Sequence, residues 1–341
     1  MTESPTAPAQ SNWRRLARRA RPWLAGATVV VLAMGAVGQV AHDRNLALAL
    51  MMYIPLAPMG LWAVALDLFS RGRSIPRIRL GLSLAGAAAA VVGAILMIGT
   101  KVREPAPPAA MEITLLHWNV MWGGNDPSQW RETAERIVRR KPDLVVLSEA
   151  PSDDMIVDAL SEIGPGWQVV YITNPPHSDY WYNPFVCSRG PLKLERRVPI
   201  RNGAAMSVLA EVRGRTIRLL VVDGRSDPRI LRTPMLHDIA AACDEAARKG
   251  EPVDVVVGDF NSVSRSIGFD ALAKAGDAGY RRAAEYCGGW RATWPAPLPL
   301  YDIDHVWVRG GASGPSVLQC ELFSGRRTDH RGQFVRLALP Q

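Results

Sequence analysis

Three long apolar runs dominate the first hundred residues, and short apolar segments alternating with amphipathic ones fill the rest. Residues 22–40 carry no charge and one polar amide, Gln39. Residues 46–66 are uncharged and contain Pro55 and Pro58; residues 80–100 are uncharged and rich in Gly and Ala. Each run is about 20 residues, the helical length that crosses roughly 30 Å of hydrocarbon. Three transmembrane helices are therefore expected, the second kinked at its prolines. The first run is too long for the apolar core of a signal peptide, and two more follow it.

Residues 101–110 (KVREPAPPAA) have three prolines and no apolar period. They predict a stiff linker that reaches on the order of 30 Å at about 3.1 Å per residue. Beyond it the period changes. Residues 112–120 (EITLLHWNV) are apolar and rich in β-formers, so a strand. Asp126, Pro127 and Gln129 then supply an N-cap, a proline for the first helical position and a capping-box partner. Trp130, Ala134, Ile137 and Val138 follow at helical spacing, and Lys141-Pro142 ends the helix. Residues 143–147 (DLVVL) form a continuous apolar run that suits a strand covered on both faces. Further strands are expected at 216–222, 253–257, 303–308 and 334–339. A helix opens at Thr233-Pro234, buries Leu236, Ile239, Ala240, Cys243 and Ala247, and stops at Gly250. Alternating strands and helices define an α/β layered domain. The expected organisation is a basic N-terminus (1–21), a membrane anchor (22–100), a linker (101–110) and one domain (111–341).

Charge adds orientation. Ten of the 40 Lys+Arg lie in the first hundred residues against 3 of the 32 Asp+Glu, leaving +7 there and +1 over the remaining 241. The overall surplus is therefore no sign of a nucleic-acid surface on the domain. Five arginines precede the first run and four lie between the second and third, against Arg44, Lys101 and Arg103 elsewhere. That bias places the N-terminus in the cytoplasm and, after three spans, the domain outside a bacterial-type plasma membrane. No charge sits inside the runs to mark a transport path; Asp67 lies at the edge of the second.

Polar groups gather where the expected strands end: Trp118-Asn119, Ser148-Glu149, Gly258-Asp259-Phe260-Asn261, Asp302-Ile303-Asp304-His305 and Thr328-Asp329-His330. Any one of these reads equally as a turn or a cap. Together they carry chemistry. Glu149 and the amide oxygen of Asn119 are hard ligands suited to Mg²⁺, and no HExxH or CxxC spacing points to zinc. Asp259 and Asn261, two apart in an extended segment, face one side. One can orient or deprotonate a water while the other donates to a phosphoryl oxygen. His330 suits a developing negative charge, and Asp304 can hold its ring protonated.

This ordered set resembles the endonuclease/exonuclease/phosphatase superfamily, through LLHWNV, KPDLVVLSEA, VVVGDFNS, YDIDHVWV and RTDHRGQFV. The resemblance implies a four-layer α/β sandwich, two packed mixed β-sheets with outer helices, preceded here by the three transmembrane helices. It implies hydrolysis of a phosphoester (nucleic acid, phospholipid head group or small phosphate ester) assisted by Mg²⁺ or Mn²⁺. It also implies that Glu149 binds the metal with Asn119 and Asp329 nearby, that Asp259 and Asn261 handle the water, and that His330, backed by Asp304, meets the phosphoryl charge.

One departure stands out. The family's histidine after the central strand is missing; the segment reads Val222-Asp223-Gly224-Arg225. Asp223 is a candidate for proton transfer or metal binding, and Arg225 for a phosphate grip. A domain of the same fold that binds phosphate or lipid without turnover remains the alternative. His117, His177, His237 and His305 read as structural. Trp290 and Trp294 mark a rigid aromatic loop that packs or lines a cleft. Cys187, Cys243, Cys287 and Cys320 permit disulfides, with Cys243 on a buried helix face and no pairing set by spacing. Oligomeric state is not encoded in any of these features.

Overall fold

The computed structural model describes residues 9–69, 76–99, 110–121, 127–162, 164–172 and 183–340. Most of the linker, the cap at Asp126 and His177 lie outside them. The chain divides into two compact units, Met1–His42 with Ala47–Leu96, and Asp43–Leu46 with Met97–Gln341.

The first unit is helical: α1 (Ala9–Ala41), α2 (Leu46–Met52), α3 (Leu56–Leu68) and α4 (Pro76–Met97). Its runs do not make three equal spans. Among the described residues one helix, Arg19–Ala41, is long and apolar enough to cross a membrane. The second run is broken into α2 and α3, bent by 61°, because Pro55 takes the N-cap position of α3 and interrupts the hydrogen-bond ladder. The third run contributes a shorter apolar helix, Gly81–Met97, within α4. The expectation of three transmembrane helices is corrected to one such helix among the described residues, or two with the bent pair, and the kink expected at the prolines of the second run is present. Within this unit α3 and α4 approach closely. A Cβ on Gly60 would lie 2.4 Å from Ala90 N, and one on Gly86 2.8 Å from Ala63 Cβ, the small-residue contact that lets helix backbones meet. Asp67 is buried and accepts a hydrogen bond from Ser83 Oγ.

The second unit is built on two six-stranded sheets. One has the order β10 (Tyr280–Arg282), β12 (Asp304–Arg309), β9 (Val255–Asp259), β8 (Arg215–Gly224), β7 (Gly203–Val212), β6 (Leu192–Val198). The other runs β13 (Ser316–Ser324), β14 (Arg331–Leu339), β2 (Met111–Asn119), β3 (Leu144–Ser148), β5 (Phe185–Ser188), β4 (Gln168–Tyr171). Both are mixed: β8–β9 and β2–β3 are parallel and their neighbours antiparallel. A short ribbon pairs β1 (Ile98–Gly99) with β11 (Gly289–Trp290).

Strand alternation sorts the side chains into layers. Ile113 and Leu115 from β2, Leu219 and Val221 from β8, Val255 and Val257 from β9 and Val306 from β12 face inward and form the core between the sheets. Each such aliphatic, fully buried, contributes ~1.5–3 kcal/mol. The opposite parity faces helices. Leu220, Val222, Val256 and Trp307 pack under α7 (Thr233–Arg248) and α8 (Gly268–Lys274). Leu116, Trp118, Val145 and Leu147 pack under α5 (Pro127–Arg140) and α6 (Asp153–Ser161). The result is the expected helix–sheet–sheet–helix sandwich.

Two glycines are required by geometry. Arg213-Gly214, both at positive φ, make the tight turn between β7 and β8. Gly258 has φ 150°, and a Cβ there would lie 1.8 Å from Val222 O, so β9 approaches β8 only because this position is bare.

Cys287 and Cys320 form a disulfide 33 residues apart; Cys187 and Cys243 are buried thiols. Burial pushes both thiols up, Cys243 to about 12. Closing a loop of that size stabilises by ~3–4 kcal/mol. Cys287→Ser should therefore unfold at clearly lower denaturant than wild type, and reductant should bring wild type down to the same midpoint. Coincident midpoints for oxidised wild type and variant would show that the bridge contributes nothing.

Candidate active site

The inward rows of the sandwich end in polar residues. On the first sheet Asp223 is the cross-strand partner of Asp259, and Asp259 of Asp304. Three carboxylates thus stand side by side where Ile217-Leu219-Val221, Val255-Val257 and Val308-Val306 run out. On the second sheet the same parity leads to Asn119, paired with Ser148. Glu149 follows Ser148 with φ 48°, a conformation costly for a non-glycine residue and concentrated at functional sites.

Asn119 joins the two sheets. Its Nδ2 donates to Glu149 Oε1 at 3.2 Å and to Asp259 Oδ2 at 2.9 Å, while its Oδ1 accepts from Met121 N at 3.0 Å. Asp259 Oδ1 accepts from Asn261 N at 2.8 Å. Asn261 does not continue the strand, as the D-x-N spacing predicted; it turns at φ 47° and donates from Nδ2 to Gly224 O at 2.8 Å. The two residues are brought together by that turn, not by strand alternation.

His330 reaches the row from just before β14. Its Nδ1 lies 2.8 Å from Asp304 Oδ2, and its Nε2 is 3.8 Å from Asp329 Oδ1 and 4.0 Å from Asp259 Oδ2. The backbone is pinned to β2: His330 N donates to Thr328 Oγ1 at 3.0 Å, Thr328 Oγ1 to Asn119 O at 2.8 Å, and Trp118 Nε1 to His330 O at 3.0 Å. Asp329 Oδ2 accepts from Trp294 Nε1 at 2.7 Å, and the Trp294 ring stacks on Tyr301. The aromatic loop is thus packed and also reaches the site. Asp302, although in the same motif as Asp304, pairs with buried Arg282 at 2.8 Å and accepts from Ser264 N; its role is structural. His305 faces the helix layer, stacked edge-on against Phe269, and His117 is fully buried within β2. Asp223 Oδ2 accepts from Asn183 N at 3.1 Å. No spacing in the sequence singled out Asn183, and only the fold brings it there. Asp223, rather than Arg225, stands in the carboxylate row.

The electrostatics follow from crowding. Burial, then repulsion from Asp304, pushes Asp259 up to about 7. Burial and the charge of Asp259 hold Asp223 well above the usual carboxylate range. Burial also raises Glu149. Asp304 goes the other way: burial opposes ionisation, but the His330 cation and its hydrogen bond outweigh that and lower it. For His330 burial disfavours the charge, yet Asp304 carries it up to about 10. Oxygens of Asp259 and Asp304 and a ring nitrogen of His330 lie within 4.8 Å of one another. A protonated imidazole has no lone pair to offer a metal, so His330 is a poor ligand. Five carboxylates with one compensating cation, three of them made reluctant to ionise chiefly by burial, fit a divalent cation held on the carboxylate side of the cleft.

Stability should record this. The folded domain keeps a proton on Asp259 between about 4 and about 7, where the unfolded chain has lost it, so the folded state binds more protons and stability falls as pH rises. Asp223 acts in the same direction. Without divalent cation the unfolding midpoint of the domain should drop between about pH 4 and about pH 7, and Asp259→Asn should flatten the drop. Midpoints that hold steady or rise across that range would remove the strained carboxylates from the account.

A mixed double sheet flanked by helices, with a carboxylate–histidine cleft at the strand ends, defines a class of hydrolase fold. The chain matches the Endonuclease/Exonuclease/phosphatase family over residues 116–330 and belongs to it. It is a hydrolase acting on phosphoester bonds, as the family's members are. No curated protein matches the chain in sequence. Among solved structures it is similar to the catalytic domain of human Nocturnin (16% identity, TM-score 0.52, covering 72% of this chain and 98% of that one). It is also similar to ANGEL2, a 2′,3′-cyclic phosphatase solved with adenosine-2′,3′-vanadate (12%, 0.53, covering 71% and 99%). A family protein from Bacteroides thetaiotaomicron matches at 13%, with TM-score 0.50, over 68% of this chain and 99% of that one. At these identities the likeness is one of fold.

Proposed function

We propose that the chain is a membrane-anchored, extracytoplasmic phosphoesterase dependent on Mg²⁺ or Mn²⁺. The observation that carries this is the carboxylate row Asp223-Asp259-Asp304 closed at one end by a charged His330. Glu149, with Asn119 and Asp329 beside it, would hold the metal, which when bound polarises a phosphoryl oxygen as a Lewis acid. Asp259, poised near neutrality, accepts the proton of the attacking water. Asn261 N–H and Asn119 Nδ2 fix the two oxygens of that carboxylate, and each oxygen keeps a lone pair for the water. His330 Nε2 faces the cleft and donates to the phosphoryl oxygen as negative charge builds there. Asp304 on Nδ1 keeps the ring charged and oriented.

A second reading rests on Asp223. It stands near where the family's histidine is missing, and burial and the charge of Asp259 hold its carboxyl well above the usual carboxylate range, which suits a domain that binds phosphate or a lipid head group without turning it over. The full chain in detergent should be assayed on bis(p-nitrophenyl) phosphate, p-nitrophenyl phosphate, an oligonucleotide and a phospholipid, with Mg²⁺ and with chelator. Metal-dependent turnover supports the enzyme; binding of inorganic phosphate with no turnover on the whole panel supports the second reading.

The anchor and its orientation rest on α1, on the arginine bias, and on the Cys287–Cys320 bridge, since disulfides persist in oxidising compartments. A C-terminal alkaline phosphatase fusion should be active and a fluorescent reporter that matures only in the cytoplasm dark; the reverse pattern defeats the orientation.

A further inference from the structure

We propose that Asp43 is a positioning residue for Asn261, so that the catalytic cleft is completed by a residue far outside the 116–330 segment that matches the family. This rests on the phosphoesterase reading only for its effect on rate. Asp43 belongs to the same compact unit as residues 97–341 and is 2% exposed. Its Oδ2 accepts from Thr233 Oγ1 at 3.0 Å and from Ser266 Oγ, and its Oδ1 accepts from Ile267 N at 2.8 Å. A buried carboxylate with three donors is a fixed point, because releasing it leaves all three donors unpaired.

Two of those donors lie at the end of the segment that carries Asn261, and the third lies beside a residue that holds it. Ser266 and Ile267 end it. Thr233 follows Arg232, whose buried guanidinium donates from Nε to Asn261 O at 3.0 Å and from Nη2 to Asp227 O at 2.9 Å. Asn261 sits at φ 47°, which a chain free at its ends would relax. Its N–H fixes Asp259 Oδ1 at 2.8 Å and its Nδ2 holds Gly224 O at 2.8 Å. Asp43 therefore clamps both approaches to the turn that orients the general base.

The test uses the full chain in detergent, with Asp43→Ala and Asp43→Asn; Asn keeps one acceptor but turns a donor toward the hydroxyls. Amide hydrogen exchange needs no activity. It should quicken at least ~10-fold over 259–267 in both variants while β2 and β14 stay unchanged. In turnover, Asp43→Ala should lower kcat ~10-fold with KM nearly constant, and should cost almost nothing further in an Asn261→Ala background, because the effect passes through Asn261. A purely structural role would instead lower the unfolding midpoint and leave kcat alone, or give losses that add. Should Asp43→Ala fail to fold, Thr233→Val and Ser266→Ala each remove one donor and should show the same exchange pattern. Unchanged exchange at 259–267 overturns the proposal whether or not the protein has activity. Quickened exchange in a chain with no turnover upholds the clamp and sinks only the enzyme reading.

Discussion

Asp259→Asn and His330→Ala should each lower metal-dependent turnover by on the order of 10²–10⁴-fold while the domain still folds; only the first should leave the unfolding midpoint undiminished, because removing His330 strands the buried Asp304 carboxylate. The expectation for Asp259 comes from its place in the row. It is the carboxylate bonded by Asn119 and Asn261, and its strand neighbours on either side are Asp223 and Asp304. Burial, then repulsion from Asp304, holds it near neutrality, where a base is most effective. Asparagine keeps the shape, cannot take the proton, and relieves repulsion, so the variant should be at least as stable as wild type. His330→Ala removes the donor at the cleft while leaving the backbone pins at Thr328 and Trp118 in place. Asp223→Ala is the companion. A loss close to that of Asp259→Asn places Asp223 in proton transfer; a change of only a few-fold leaves it as the partner of Asn183. Stable, well-folded Asp259→Asn with wild-type turnover would falsify the catalytic assignment outright.

Glu149→Gln should abolish metal-dependent turnover and weaken Mn²⁺ binding by more than ~10-fold, since losing even an outer-shell partner costs 10–100-fold. The residue occupies a strained backbone position and takes the Asn119 amide, so its carboxylate is aimed rather than solvent-borne. Calorimetric titration of Mn²⁺ into wild type and variant decides the matter independently of turnover. Asp329→Asn is the control: it keeps an acceptor for Trp294 and should weaken binding less. Equal affinities for wild type and Glu149→Gln would take this residue out of the metal site.

Much of the site was legible because its residues end inward-facing rows. A polar residue at the parity of Val255-Val257 or Leu219-Val221 is visible in the sequence, and the Gly258 that precedes Asp259 is required by the closeness of β8. What was not legible has physical causes. β6 reads Leu192-Lys193-Leu194-Glu195-Arg196-Arg197 and lies at a sheet edge, where charge tolerates exposure and the apolar signal is weak. β4 and β5 are four residues each, too short for a period to declare itself. The turn at Asn261 depends on Gly224 and Arg232 from other parts of the chain. The Cys287–Cys320 pairing depends on β13 lying next to the turn after β10, which no spacing encodes. In the first unit the prolines of the second run marked the place where it breaks into α2 and α3.

The parity that places the three aspartates on one face also determines which sequence changes the domain can survive. Point substitutions along β8, β9 and β12 alter packing one position at a time. A single-residue insertion or deletion within β9 upstream of Gly258 rotates everything beyond it by one step. It would bring Gly258 or Phe260 to the cleft in place of Asp259 and turn Asp259 toward α7. Natural length variation in this domain should therefore collect in the hairpin turns and after the strand ends, and a library of one-residue indels should be depleted across these three strands even at positions where every hydrophobic substitution is accepted.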